Sequence, residues 1–358
     1  MSVYKDPATG KWYSMCRYTN WQGERKQKCT RGFSTKREAQ TWEREFLMQT
    51  HGNTDMTFES YFALYEQDIK PKLRLNTWIG KESIIKKLIL PYFKDKKLAE
   101  ITSRDVMAWQ AEIRGLKSYY GKPYSEDTLQ NIHAQLSSMF NHAVKHYGLS
   151  SNPARTAGGM GSEGSNEMLF WTKDEYFLFA EQTMDKPIYY YAFEVLYWCG
   201  LRVGELLALT PSDFNFQANT LSITKSYQRI HGEDVITLPK TRASKRTINI
   251  PEFLAVEIQE YIGMYYSIGK KDRLFLLSKH QLAREIERGS KLAGIKKIRV
   301  HDLRHSHVSL LIHMGFSALE IAARMGHEAI DITFRYAHLF PTVQVQMAER
   351  LNQERGNF

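Results

Sequence analysis

Five short strings in the C-terminal half carry side chains able to handle a phosphodiester. They are Cys199-Gly-Leu-Arg202-Val-Gly-Glu205, Lys240-Thr-Arg-Ala-Ser244-Lys-Arg246, His301-Asp-Leu-Arg304-His305, Met325-Gly-His327, and Tyr336. A phosphodiester under attack gathers negative charge on its non-bridging oxygens. Two guanidiniums, charged at any working pH, can grip those oxygens in a fork. Arg202 and Arg304 are the candidates. An arginine is ordinarily solvated or ion-paired, and only the neighbouring strings single these two out. Tyr336 is the candidate nucleophile. A phenol titrates near pH 10, so roughly one in a thousand is ionised at pH 7, and it needs nearby positive charge or a base. The chain has 20 tyrosines, so tyrosine identity alone selects nothing. The distance from Arg304 and His327 does the selecting. His301 and His327 titrate near neutrality and can hydrogen-bond a phosphate or move a proton.

Taken in order, the strings resemble the tyrosine recombinase, or phage integrase, family. GLRxGE alone is a weak signal and HxLRH a moderate one. Both in sequence, with a lysine string between them and a GH-x8-Y ending, are specific. The resemblance implies that Tyr336 forms a 3′-phosphotyrosyl bond and releases a 5′-hydroxyl. It implies Lys240, on a turn between two strands, as the acid that protonates the leaving oxygen, with Lys225, Arg242 and Lys245 as nearby competitors. Glu205 becomes the carboxylate that orients Arg202 and His301. Cys199 stands where the family usually has threonine, and Met325 where leucine or another hydrophobe is common.

No metal or other cofactor is expected, since arginines and a lysine supply the positive charge. His301, His305, His307 and His313 lack a cysteine or carboxylate at zinc spacing. His305 and His307 are expected to pack or to bond locally. No GxxxxGK[ST] occurs, so nucleotide hydrolysis is not indicated. A phosphotyrosine would conserve the energy of the broken diester and let a 5′-hydroxyl reseal it.

The elements that must position these residues fall into segments. The 358 residues exceed one ordinary core, and 42% hydrophobic content with 13% aromatics excludes wholesale disorder. The expected class is α+β, mainly helical with small antiparallel sheets. The net charge is +10, which fits a polyanionic partner. Residues 1–52 hold ten Lys/Arg against five Asp/Glu, half of that excess. Their strand-like pieces KWYSMCRYTN and ERKQKCTRGF meet at a hairpin turn, Trp21-Gln22-Gly23, and a helix with Ser34 as N-cap follows. This segment looks like the arm-binding domain of integrases, a three-stranded sheet plus a helix. Arg17, Arg25, Lys26, Lys28 and Arg31 could lay a basic sheet face on DNA.

Residues 53–152 read as an all-helical core-binding domain. Phe58, Phe62, Tyr65 and Ile69 form one helical stripe, stopped by Pro71. Thr102 to Asp105 starts a helix bearing Val106, Trp109 and Ile113 and ending at Gly115. Leu129, Ile132, Leu136, Met139 and Ala143 form another stripe, ending near Gly148. Lys70, Lys72, Arg74, Lys81, Lys86 and Lys87 form a phosphate-facing set or a solvated one. Residues 153–167 include four glycines and read as a flexible linker. The catalytic segment, 168–358, opens with a capping box at Thr172 and Glu175. It continues through strand-like TLSITKSYQ, DVITLPK and RTINIP, and is helical from Pro251. An amphipathic helix is expected from Val343 to Glu354, which in the family packs on a neighbouring protomer.

Cys16, Cys29 and Cys199 form no CxxC pair, so a reducing cytosol is expected. The start, MSVYKDPATG, lacks the apolar run of a secretory signal, and the longest apolar stretch, residues 189–201, is too short to span a bilayer. The implied partners are double-stranded DNA attachment sites, a homotetramer on DNA, and an accessory bending or excision factor. The implied location is the bacterial cytosol or nucleoid, or the host cytoplasm for a phage protein. Two rival readings are a type IB topoisomerase-like relaxer and a regulator using residues 317–338 as a helix-turn-helix.

Overall fold

A computed structural model describes the chain except residues 1, 2, 8, 20–24, 51–54, 120, 163–167, 239–243, 327–350 and 356–358, and the side chains of 19, 45 and 47–50. It divides into two compact units, Met1–Ser165 and Asn166–Phe358. Helices dominate both, with small antiparallel sheets, as expected.

The first unit opens with strands Val3–Lys5, Trp12–Thr19 and Arg25–Phe33, an antiparallel meander backed by the helix Lys36–Thr50. The turn expected at Trp21 lies outside the described residues. The helix is capped by Thr35, not Ser34. The Thr35 hydroxyl accepts from the Glu38 amide, and the Glu38 carboxylate accepts from the Ser34 amide. Two adjacent hydroxyl residues offered two caps, and Thr35 reaches the third amide after it. Strand pairing sets Arg31 opposite Tyr13, Arg25 opposite Thr19 and Arg17 opposite Gln27. Alternation puts these three arginines on one face. Lys26 and Lys28 oppose Tyr18 and Cys16 on the other face, where Tyr18 packs edge-on against Phe46 of the helix.

The helical part follows the predicted stripes. Phe58, Phe62 and Tyr65 are buried along Phe58–Ile69, and Lys70–Lys72 tightens into a 3-10 turn at Pro71. Thr102 and Asp105 cap Ser103–Gly115 reciprocally. The long helix Glu126–His146 buries Leu129, Ile132, Leu136, Met139 and Ala143. Residues 153–162 differ from the flexible link expected there. Asn152 caps a short helix, Pro153–Ala157, Met160 is buried, and the Ser162 amide donates to Glu126. Gly161 has φ +81°, and a Cβ there would meet the Glu126 carbonyl at 2.3 Å. Its missing side chain allows close packing and does not loosen the chain.

The second unit buries one large core around Pro187–Cys199. Thr172 and Glu175 form the expected capping box. The strand-like runs make two sheets, not one. Phe214–Asn215, Thr220–Ile223 and Arg246–Asn249 form a three-stranded sheet, while Ser226–Ile230 and Glu233–Thr237 form a separate two-stranded ribbon. TLSITKSYQ therefore splits at Thr224 and Lys225. Helices Glu252–Gly263, Lys279–Leu292, Asp302–His313 and Ala318–Met325 follow. Of the C-terminal tail helix, 351–355 are helical and 343–350 lie outside the described residues.

Candidate active site

The GLRVGE string is a turn between two helices. Pro187–Cys199 ends at Gly200, whose φ is +62°. A Cβ there would stand 2.6 Å from the His307 ring and 3.0 Å from Met325, so conformation and space both require glycine. Arg202 then opens the short helix Val203–Leu206. Gly204 lets that helix lie against the ribbon, since a Cβ would meet the Ser226 hydroxyl at 2.5 Å and the Tyr227 carbonyl at 3.1 Å.

Glu205 is 3% exposed and fully engaged. It accepts from the Arg202 guanidinium at 2.9 Å and the Arg202 amide at 3.0 Å. Its second cation is Arg246, at 3.2 and 3.3 Å, rather than the expected His301. Burial pushes this carboxyl up, but the Arg246 and Arg202 guanidiniums outweigh it and hold it below the usual range. Glu205 stays ionised and fixes Arg202, whose side chain keeps 38% exposure.

Arg304 is 4% exposed. Its Nη1 donates to the Gly200 carbonyl and its Nη2 to the Met325 carbonyl, each at 2.6 Å. Both carbonyls close helices, where the dipole favours a cation. His301 precedes Asp302–His313 and packs edge-on against His305, 5.3 Å between ring centres. It is solvent-accessible, yet the protein around it disfavours the charged imidazole, and Arg304 and Arg202 add repulsion, so its pKa lies below the ordinary value. His301 opens the helix that carries Arg304, and Arg304 bonds the Gly200 carbonyl two residues before Arg202, so the three belong to one site. Asp302, wholly buried, accepts from the Arg299 amide at 2.8 Å and its guanidinium at 2.9 Å, fixing the start of this helix.

Beneath lies a layer that the sequence did not disclose. Arg246 Nε donates to the Arg324 carbonyl at 2.9 Å. Arg324 donates to the carbonyls of Asn249 and Trp198, at 3.0 and 3.2 Å, and to His307 Nε2 at 3.1 Å. Burial, with Arg324 beside it, lowers the His307 pKa to about 3, so it is a neutral acceptor. His307 thus bonds locally, as expected. Arg246 stands within the KTRASKR string and Arg324 two residues before Gly326. Their spacing gave no sign of burial, because their partners are carbonyls 75 to 126 residues away in sequence.

Lys240, His327 and Tyr336 lie outside the described residues, as does Arg242. Of the other competitors for the acid, Lys225 is tied to Asp213 at 2.8 Å and Thr210 at 2.9 Å, while Lys245 is exposed. In the first unit Lys70, Lys81 and Lys86 bond to Glu66, Gln135 and Glu82, and Lys72 and Arg74 are exposed. Among the described residues no three His, Cys, Asp or Glu are grouped to hold a metal, and no helix is long and apolar enough to cross a membrane.

The chain is similar to known proteins in sequence and in fold. Residues 172–342 match the Phage integrase family profile, 2–50 an Arm DNA-binding domain, and 57–113 the Phage integrase N-terminal SAM-like domain. The ICEBs1 integrase of Bacillus subtilis is 30% identical over 309 residues, covering 82% of this chain and 80% of the relative. The fold is similar to the Tn1549 transposon integrase in complex with a circular intermediate DNA, with TM-score 0.67, 20% identity, and 84% and 99% of the two chains covered. It is also similar to a lambda integrase tetramer bound to a Holliday junction, with TM-score 0.59, 18% identity and 94% of each chain covered.

Proposed function

This chain belongs to the phage integrase family of tyrosine recombinases, the DNA strand transferases of mobile elements, and from that premise we propose that it integrates or excises its element by strand exchange between two attachment sites. The observation carrying the proposal is the pair of arginines, Arg202 fixed by a buried carboxylate and Arg304 by two helix-end carbonyls, with His301 at the start of the helix that bears Arg304. This is a rigid receptor for the charge that develops on phosphate oxygens.

In this reading the Tyr336 oxygen attacks phosphorus, and the bond to the 5′-oxygen breaks. A 3′-phosphotyrosyl bond forms. The phenolic proton passes to His301 or His327. The lowered pKa of His301 supports the neutral imidazole that can accept it. Lys240 gives its proton to the departing 5′-oxygen. The partner strand's 5′-hydroxyl then attacks the phosphotyrosyl bond and returns the tyrosine. Two rounds through a four-way junction complete the exchange, with no ATP because each diester is conserved. Four copies assemble on DNA, an arrangement supported by the lambda integrase tetramer. An accessory DNA-bending or excision factor is a further partner in this reading.

The division of labour is arm binding by residues 1–52, core-site binding by 53–152, and catalysis by 168–358. Arg17, Arg25, Lys26, Lys28, Lys70, Lys72 and Arg74 are the proposed DNA contacts, and a DNA substrate is consistent with a place in the bacterial cytosol or, for a phage protein, the host cytoplasm. The test is a reaction between plasmids carrying the two attachment sites, without ATP or added metal. Recombinant junctions are expected. Relaxation of supercoils irrespective of sequence would replace this reading with a topoisomerase.

A further inference from the structure

A two-stranded ribbon is marginally stable alone, so the one at 226–237 needs tethers. Arg273, 19% exposed at its side chain, supplies them. Its Nη2 meets Asp234 of the ribbon at 2.7 Å, and its guanidinium lies over the Tyr227 ring, 4.0 Å from the centroid. The Tyr227 hydroxyl donates to the same Asp234 at 2.6 Å. Arg273 Nη1 donates to the Leu207 carbonyl at 3.4 Å, just past the helix that follows Arg202. The backbone repeats the tie, the Leu274 amide donating to the Leu209 carbonyl at 2.8 Å. One guanidinium therefore grips both the ribbon and the arginine-bearing turn. On the far side of residues 239–243, Arg246 bonds to Glu205 of that same turn. The described residues on either side of 239–243 are thus both tied to the stretch 202–207, one through Arg273 and Leu207, the other through Arg246 and Glu205.

We propose that Arg273 is a positioning residue, which sets the ribbon against the Arg202–Glu205 turn so that a proton reaches the leaving 5′-oxygen. The proposal rests on the reading of Lys240 as the acid. Breaking the phosphorus–oxygen bond releases an alkoxide that needs a proton. With sulfur in the bridging 5′ position the leaving group is a thiolate, which departs without one because thiols titrate near pH 8.5. Residues that serve proton delivery should therefore matter for the oxygen substrate and little for the sulfur one. A purely structural residue slows both alike.

The experiment is single-turnover cleavage, by the full-length protein, of duplexes of its own attachment site with a bridging 5′-oxygen or 5′-sulfur. For Lys240→Ala the oxygen substrate should slow about 100-fold or more, the usual worth of general acid catalysis. Arg273→Ala should slow it by ~30-fold and return to within ~3-fold of wild type on sulfur, a partial loss of that same contribution. Tyr227→Phe, which deletes one hydroxyl and keeps the ring, should show the same oxygen-to-sulfur contrast at smaller amplitude, so the test survives if Arg273→Ala fails to fold. Equal slowing of Arg273→Ala on both substrates, or wild-type cleavage of the oxygen substrate, overturns the proposal. If Lys240→Ala stays slow on sulfur, the assignment of Lys240 falls, and the Arg273 ratio still tests positioning of whichever group gives the proton.

Discussion

The helical part of the first unit and the second unit both bury polar side chains, and they treat them oppositely. In the helical part the buried polar groups are mostly neutral and paired with one another or with main-chain carbonyls. Tyr61 donates to the Met139 carbonyl and meets His142 at 3.0 Å, and Asn152 bonds to Ser137 and Asn141. Aromatic rings fill the rest, with Trp78, Trp109 and Phe140 wholly buried. The second unit instead buries ions. Glu205 and Arg304 are each 4% exposed or less, and Arg246 and Arg324 are withdrawn beneath them. Burying a charge costs several kcal/mol and seldom stabilises a fold on balance. The difference teaches that this unit accepts that cost for placement. Each cation is held by main-chain carbonyls, by a buried carboxylate or, for Arg324, also by His307, which leaves little freedom to drift.

The largest expected effect breaks that contrast at its centre. Arg304→Ala should lower single-turnover cleavage by roughly 10³-fold, the scale of losing one preorganised oxyanion donor. Orphaning the Gly200 and Met325 carbonyls should destabilise the unit by about 1–3 kcal/mol each. Tyr61→Phe, in the neutral core, should cost ~1 kcal/mol and leave the cleavage step unchanged. Denaturant titrations and rapid-quench cleavage separate the two. Next, Gly200→Ala must strain a left-handed residue and displace His307. We expect ~2 kcal/mol lost from the second unit and a slower reaction, seen as a lower Tm.

The third prediction uses pH. His307 titrates near 6.5 when unfolded and about 3 when folded. Its folded pKa is depressed, so its contribution is complete above pH 6.5. As pH falls from 6.5 toward 3 the unfolded chain binds a proton that the native state refuses. Stability should then drop by up to about 1.4 kcal/mol per pH unit. His307→Asn should be less stable at pH 7 and show a flatter decline between pH 6.5 and 5 in urea titrations. The smallest effect belongs to the exposed cations. Lys72→Ala should weaken DNA binding modestly, lower the slope of log K against log salt by about 0.9, and spare cleavage at saturation.

Much of this was legible in sequence where the signal is local. The capping boxes at Thr102 and Thr172 and the stripes from Phe58 and Leu129 depend on residues three or four apart. Strand alternation was legible too, yet one run, TLSITKSYQ, serves two sheets, and no local feature marks that break. The glycine at 161 reads as looseness but permits a close approach, which only the opposing Glu126 carbonyl reveals. At the site, motif order exposed Arg202, Glu205, His301 and Arg304. The supporting Arg246, Arg273 and Arg324 stayed hidden because each takes partners far away along the chain. Burial of a charged side chain leaves no periodic trace.

The central claim is that this scaffold serves Tyr336. A nicked attachment-site duplex, which loses its 5′-hydroxyl fragment on cleavage, should trap the covalent intermediate. Digestion and mass spectrometry of the adduct should place the nucleotide on the peptide containing Tyr336, and Tyr336→Phe should yield none. An adduct on another of the 20 tyrosines, or one that persists in Tyr336→Phe, would contradict the account.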